Sequence, residues 1–292
     1  MGGGTYSTVD RKLRSKDFGY DTKSVNEIFV ERNINSAMSP YGVKIREARD
    51  SAEHPNSVPI ILALDVTGSM GSVPHYLVKE GLPHIMDSII QKGISDPQLL
   101  FLAVGDHECD SSPLQIGQFE SSDALLDMWL TKVYLEGGGG GNAGESYLLA
   151  WYAAAYHTAL DSWEKRKQKG FLFTIGDEPT LKNLPSNVLK KLLGDGQYQD
   201  FTSAATLLDK ARETYDVYHL HVIQTSAGSS LSTQSEWKQL MGDNLILVND
   251  VKSISKIISD IVVEKSKPVM VSVVVVAEVP ISVVNISQEI IL

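Results

Sequence analysis

Cysteine, long apolar runs and basic clusters are all scarce in this chain. One cysteine, Cys109, in 292 residues permits no internal disulfide, so the fold must be held by core packing. That scarcity suits a reducing compartment. No stretch supplies the ~20 apolar residues of a spanning helix. The nearest candidate, "VMVSVVVVAEVPISVVNISQEIIL" at 269–292, is broken by Glu278 and Pro280. Its valines and isoleucines favour extended chain, and it reads as one or two strands joined near "EVPIS". The opening "MGGGTYSTVDRKLRSKDFGY" has no apolar segment behind its positive charges, unlike a secretory signal. Tyr6 stands where a myristoylation signal needs Ser or Thr.

Lys and Arg number 26 against 36 Asp and Glu, a net charge of −10. The basic run "EKRKQK" at 164–169 reads as the solvated end of a helix. A nucleic-acid partner would want the opposite balance. The expectation is a cytoplasmic protein with neither a nucleic-acid nor a membrane partner.

Against these absences stands an ordinary globular composition, 42% hydrophobic and 21% charged. From residue 58 to about 264 short apolar runs alternate with helical patterns. "VPIILAL" (58–64), "QLLFLAVG" (98–105), "GFLFTIG" (170–176), "DVYHLHVIQ" (216–224) and "NLILVN" (244–249) read as strands. Helices are expected over 73–93, bent or divided by Gly81 and Pro83, and over 121–133, 145–167, 185–194, 202–215 and 251–265. Strands alternating with helices make βαβ units and a mainly parallel sheet. The fold class expected is α/β, a doubly wound sheet with helices on both faces. Residues 1–57 read as an N-terminal extension, with a loop at "NINSAMSPYG" and a short helix at "VKIREARDS". Residues 58–265 form the main domain and 266–292 a β-strand tail.

In such a sheet, ligands bind beyond the carboxyl ends of the strands. Three loops there carry suggestive residues. "LALDVTGSMGS" ends a strand on Asp65 and adds Thr67 and Ser69. "LEGGGGGNAGESY" (135–147) carries a glycine run, then Asn142 and Glu145. "TIGDEP" places Asp177 directly after a strand. The set is rich in oxygen and holds neither histidine nor thiolate, so it suits a hard cation, Mg²⁺ or else Mn²⁺ or Ca²⁺. Alternate side chains of D-x-T-x-S in a tight loop can face one point, though Asp, Thr and Ser also cap helices.

"DVTGSM" resembles the D-x-[ST]-x-S signature of von Willebrand factor A domains, whose metal-ion-dependent adhesion site sits on a doubly wound sheet. The resemblance spans about residues 58–264. It implies Asp65, Thr67 and Ser69 as ligands, and Asp177 as the aspartate of the third loop. The second loop departs from the family pattern: it has no threonine, and either Asn142 or Glu145 takes that place. The mechanism implied is binding, with the cation accepting a Glu or Asp from a protein partner.

Other features have plainer readings. "GDHECD" (105–110) reads as a solvated acidic turn, or else as a loop that shapes access to the metal. His219 and His221 share one face of a strand and lack a third zinc ligand, so packing or exposure is expected. The tyrosines and tryptophans of 146–163 read as core. A HAD-type phosphatase needs a second acid where this chain has Thr67, and neither a P-loop nor a G-x-S-x-G elbow is present. The alternatives are a metal-dependent phosphohydrolase on the same sheet, and a structural subunit forming a homo-oligomer through its C-terminal strands.

Overall fold

Successive residues of Val58–Asp65 serve two different cores. Ile60, Leu62 and Leu64 pack on one side, Ile61 and Ala63 on the other, because neighbouring side chains of a strand point to opposite faces. The run is apolar throughout since helices cover both faces. The computed structural model describes residues 4–137 and 144–267, with the side chain of Ser69 left out.

Six strands form the central sheet: β1 (Val58–Asp65), β2 (Pro97–Val104), β3 (Leu114–Ile116), β4 (Gly170–Gly176), β5 (Tyr215–Val222) and β6 (Leu245–Val248). Their spatial order is β6-β5-β4-β1-β2-β3, parallel except for β3, which pairs antiparallel with β2 at one edge. The chain therefore winds outward from β1 in one direction, returns to β4 and winds outward in the other. Between β1 and β4 the winding reverses, and it is beyond the carboxyl ends of the strands at such a point that doubly wound sheets form their ligand crevice.

The main helices are α1 (Thr8–Phe18), α2 (Leu82–Gln91), α3 (Asp123–Thr131), α4 (Tyr147–Tyr156), α5 (Ser186–Leu193), α6 (Ala204–Arg212), α7 (Leu231–Met241) and α8 (Ile254–Ser266). On one face of the sheet, α2, α3 and α8 bury Ile85, Leu126 and Ile258; on the other, α4, α6 and α7 bury Leu149, Leu207 and Trp237. Ser122, Ser203 and Ser230 cap α3, α6 and α7 by accepting from a backbone amide in the first turn. The doubly wound α/β class expected from the alternation is the one observed.

Local departures have local causes. Residues 72–91 stay helical through Pro83, with a π-turn at Leu77–Gly81 that absorbs the missing amide. The helix expected over 145–167 divides into α4 and Asp161–Arg166. Between them Thr158–Leu160 runs as a strand, pairing parallel with Arg46–Ala48. "VKIREARDS" is accordingly a strand and not a helix, its backbone taken up by that partner. A two-stranded antiparallel pair, Asn183–Pro185 with Phe201–Ser203, was not expected at all.

Residues 4–57 pack against the α2 face, where Tyr6, Tyr20, Ile28, Phe29 and Met38 join the same core as β1. Arg11 is buried there and bonds to the Asp127 carboxylate and the Val78 carbonyl; Tyr20 Oη donates to Asp127 at 2.6 Å. Among the described residues no helix is long and apolar enough to cross a membrane. The tail, 268–292, lies outside them.

Candidate metal centre

Asp65 is the last residue of β1 and is fully buried. Its Oδ1 accepts from the Thr67 amide at 2.9 Å and from Thr67 Oγ1 at 2.6 Å; its Oδ2 accepts from Tyr147 Oη at 2.8 Å. The short loop thus closes on its own carboxylate, as aspartates do when they bond to the backbone two residues on. Because the Thr67 hydroxyl points its proton at Asp65, its lone pairs are turned elsewhere, the orientation a cation ligand requires. Ser69 follows in the turn Gly68–Met70, and its side chain lies outside the described residues.

Asp177 comes directly after β4, on the far side of the crevice, and is also fully buried. Glu145 precedes α4 and is clamped to the loop that follows Asp177. Its amide donates to Pro179 O at 2.8 Å, and Leu181 N donates to Glu145 O at 2.9 Å. Its side chain is buried, and Oε2 has no hydrogen-bond partner among the described residues. Asn142 lies outside them. The structure thus brings Asp65, Thr67, Glu145 and Asp177 to one crevice, and leaves Asn142 and the Ser69 hydroxyl undescribed.

The electrostatics are those of crowded acids. Burial pushes the Asp65 carboxyl up, partly opposed by the Thr67 and Tyr147 hydrogen bonds and reinforced by the charge of Asp177. Glu145 is pushed up by burial and then by Asp65, Asp110, Asp106 and Glu178. Glu178 rises too, from burial and from Asp177. No basic side chain among the described residues forms an ion pair with Asp65 or Glu145. Charged forms so disfavoured are what a bound divalent cation relieves. No three His, Cys, Asp or Glu side chains among the described residues form a metal cluster by themselves. A cation held here would depend on hydroxyl oxygen as well, which is hard-cation chemistry.

Tyr147 is the member that sequence reasoning missed, since a tyrosine at helical spacing reads as core. Its ring lies against Gly176, the last residue of β4, where an added Cβ would fall 1.7 Å from Oη. A glycine at the strand end just before Asp177, with a tyrosine two residues after Glu145, was the available signal. Behind the tyrosine, His219 stacks on Trp237 with ring centroids 3.5 Å apart, and its Nδ1 lies 2.9 Å from Thr174 Oγ1. His221 Nε2 lies 3.0 Å from Gly228 O. Both histidines are buried, and burial holds both below their usual range; they pack.

The "GDHECD" segment is a turn exposed at Glu108 and Cys109 and docked at its start. Asp106 is buried, its amide donates to Asp110 Oδ2 at 2.7 Å, and His107 Nδ1 sits 2.8 Å from Ser146 Oγ. Gly105 permits the fold-back, because a Cβ there would meet Asp110 Oδ2 at 2.4 Å. The loop is docked on the start of α4, where its acids join the cluster around Glu145.

No family model and no curated protein matches the chain. Among solved structures it is similar to the pilus adhesin SpaC from Lactobacillus rhamnosus GG, with TM-score 0.48, 11% identity, and 76% of this chain and 31% of that one covered. It is also similar to BatB from Bacteroides thetaiotaomicron, with TM-score 0.45, 13% identity, and coverage of 73% and 100%. The vWF domain of the type V pili tip protein Mfa5 from Porphyromonas gingivalis gives TM-score 0.46, 8% identity, and coverage of 70% and 94%. The chain spans about a third of the SpaC chain. These likenesses concern the fold alone.

Proposed function

We propose that the crevice between β1 and β4 binds a divalent cation, Mg²⁺ or else Mn²⁺ or Ca²⁺. Its ligands are Asp65, Thr67, Ser69 and Asp177, completed by Asn142 or Glu145, and the cation holds an acidic side chain of a protein partner. The observation that carries this reading is that Asp65 and Asp177 are both fully buried at the ends of adjoining strands where the winding of the sheet reverses, each within electrostatic reach of the other, with Glu145 buried beside Asp65. Burial and neighbouring acids push the Glu145 carboxyl up. Asp65 and Asp177 then balance the charge of the cation, and its open position takes a carboxylate from outside. Binding is favoured over turnover because one ring nitrogen of each nearby histidine is held, His219 by Thr174, His221 by Gly228 and His107 by Ser146, and burial holds His219 and His221 below their usual range.

Calorimetric titration of the purified chain with Mg²⁺ and Mn²⁺ tests the reading. Saturable binding that Asp65→Ala abolishes without loss of fold supports it. Absence of binding at millimolar cation sinks it.

A further inference from the structure

The basic run at 164–169 has a role that a solvated helix end does not explain. It lies at the amino-terminal edge of the sheet, opposite Asp65. Lys167 takes a left-handed conformation there, with φ 56°. A cavity of about 530 Å³ opens at this edge, within the range of small-molecule sites. Arg166 and Lys169 line it on one side, and Lys265 and Lys267, at the end of α8, line it on another.

Arg166 is largely committed, since its guanidinium pairs with Asp50 at 2.6 and 3.2 Å and donates to Ser57 O. Lys169 Nζ donates to Arg212 O at 2.5 Å and keeps further protons to give. Three lysines therefore face the cavity against a single lining acid, Asp216. In a chain of net charge −10 the charges that line this cavity are mainly basic, while the acids Asp50 and Asp96 at the same edge are bonded to Arg166, Ser57 and Asn56. A second observation is independent of charge. Ser162 lines the same cavity, is 2% exposed, and its Oγ has no hydrogen-bond partner among the described residues. A buried hydroxyl without a partner carries a desolvation cost that a ligand oxygen would remove. Asn56, Ser95 and Gln168 add neutral polar groups, and Pro59, Ile94 and Phe171 an apolar surface.

We propose that this cavity binds a phosphorylated small molecule. Lys169, Lys265 and Lys267 hold its phosphate as point charges, and Ser162 donates to an oxygen of the ligand.

The test is calorimetric titration of the full chain in EDTA buffer, so that no cation bound at the opposite edge contributes. The probes are pyrophosphate, glucose 6-phosphate and AMP, with glucose and citrate as controls. The expected result is one-to-one binding of at least one phosphate probe, weakened about tenfold or more in Lys169→Glu/Lys265→Glu. Ser162→Ala should weaken it by a smaller factor. Asp216→Asn, which removes the one opposing charge, should tighten it by about threefold or more. Failure of all three phosphate probes to bind at millimolar levels overturns the proposal, as does citrate binding equally well. Unchanged affinity in the double lysine variant does the same. If that variant does not fold, Asp216→Asn decides: unchanged or weaker binding in it overturns the proposal.

Discussion

Replacing Gly176 by alanine should collapse the support beneath Asp65. The added Cβ would lie 1.7 Å from Tyr147 Oη and 2.5 Å from Cζ. Neither atom can yield locally, since Tyr147 is fully buried and its ring is hemmed in by His219 and Trp237 with centroids at 5.1 and 5.4 Å. The ring must move, and with it goes the 2.8 Å hydrogen bond to Asp65. Losing a bond to a carboxylate costs about 1.5–3 kcal/mol, and overpacking a filled core adds about 1–3 kcal/mol. Against this, alanine gains about 0.5–1 kcal/mol in a strand. The net expectation is a destabilisation of about 1.5–5.5 kcal/mol, read from urea unfolding in EDTA.

A double-mutant cycle separates this cause from general damage. Tyr147→Leu removes the whole ring, so Gly176→Ala in that background should cost about 2 kcal/mol less than it does alone. Additivity of the two changes to within about 0.5 kcal/mol would refute the reasoning.

Other outcomes follow from the same geometry. Asp65 and Glu145 both have raised pKa values in the folded chain, so above the ordinary carboxylate range the folded state binds more protons than the unfolded one. Their contribution to stability is therefore lost as pH rises from the carboxylate range through neutrality. In EDTA, wild type should fall further in melting temperature from pH 5 to pH 8 than Asp65→Asn does. An equal fall in both proteins contradicts the assignment. Saturating Mg²⁺ should raise the melting temperature of wild type at pH 8 and leave that of Asp65→Asn unmoved; equal shifts would place the cation elsewhere. Arg11→Met leaves Asp127 buried without its cation and should cost about 3–5 kcal/mol in urea unfolding. A cost below about 1 kcal/mol would show that residues 4–57 are anchored by other contacts.

The sheet was legible because its strands are apolar on both faces. "GFLFTIG" coincides with Gly170–Gly176, and the run opening at Val58 ends on Asp65 as read. β3 was not legible, since three residues carry no period. Nor was the break in 145–167, where the sequence reads as one helix and a distant segment, Arg46–Ala48, claims Thr158–Leu160 as a partner. Of the residues that meet at the crevice, the positions of Asp65, Thr67 and Asp177 were readable from strand ends and hydroxyl spacing, and that of Glu145 from its glycine-rich loop. Tyr147 was not, because its role depends on an absent side chain at Gly176. The docking of "GDHECD" escaped for the same reason: charge suggested solvent, while Gly105 permits a fold-back that only the packed structure displays.

The pairing of Glu145 with Pro179 and Leu181 joins the loop before α4 to the loop after β4 like a clasp. Glu145 and the segment Pro179–Leu181 cannot swing apart without breaking those two bonds. A ligand that touches both Glu145 and the Pro179–Leu181 segment meets two pieces of chain already fixed to each other, and the entropy of fixing those two separately is not subtracted from its affinity.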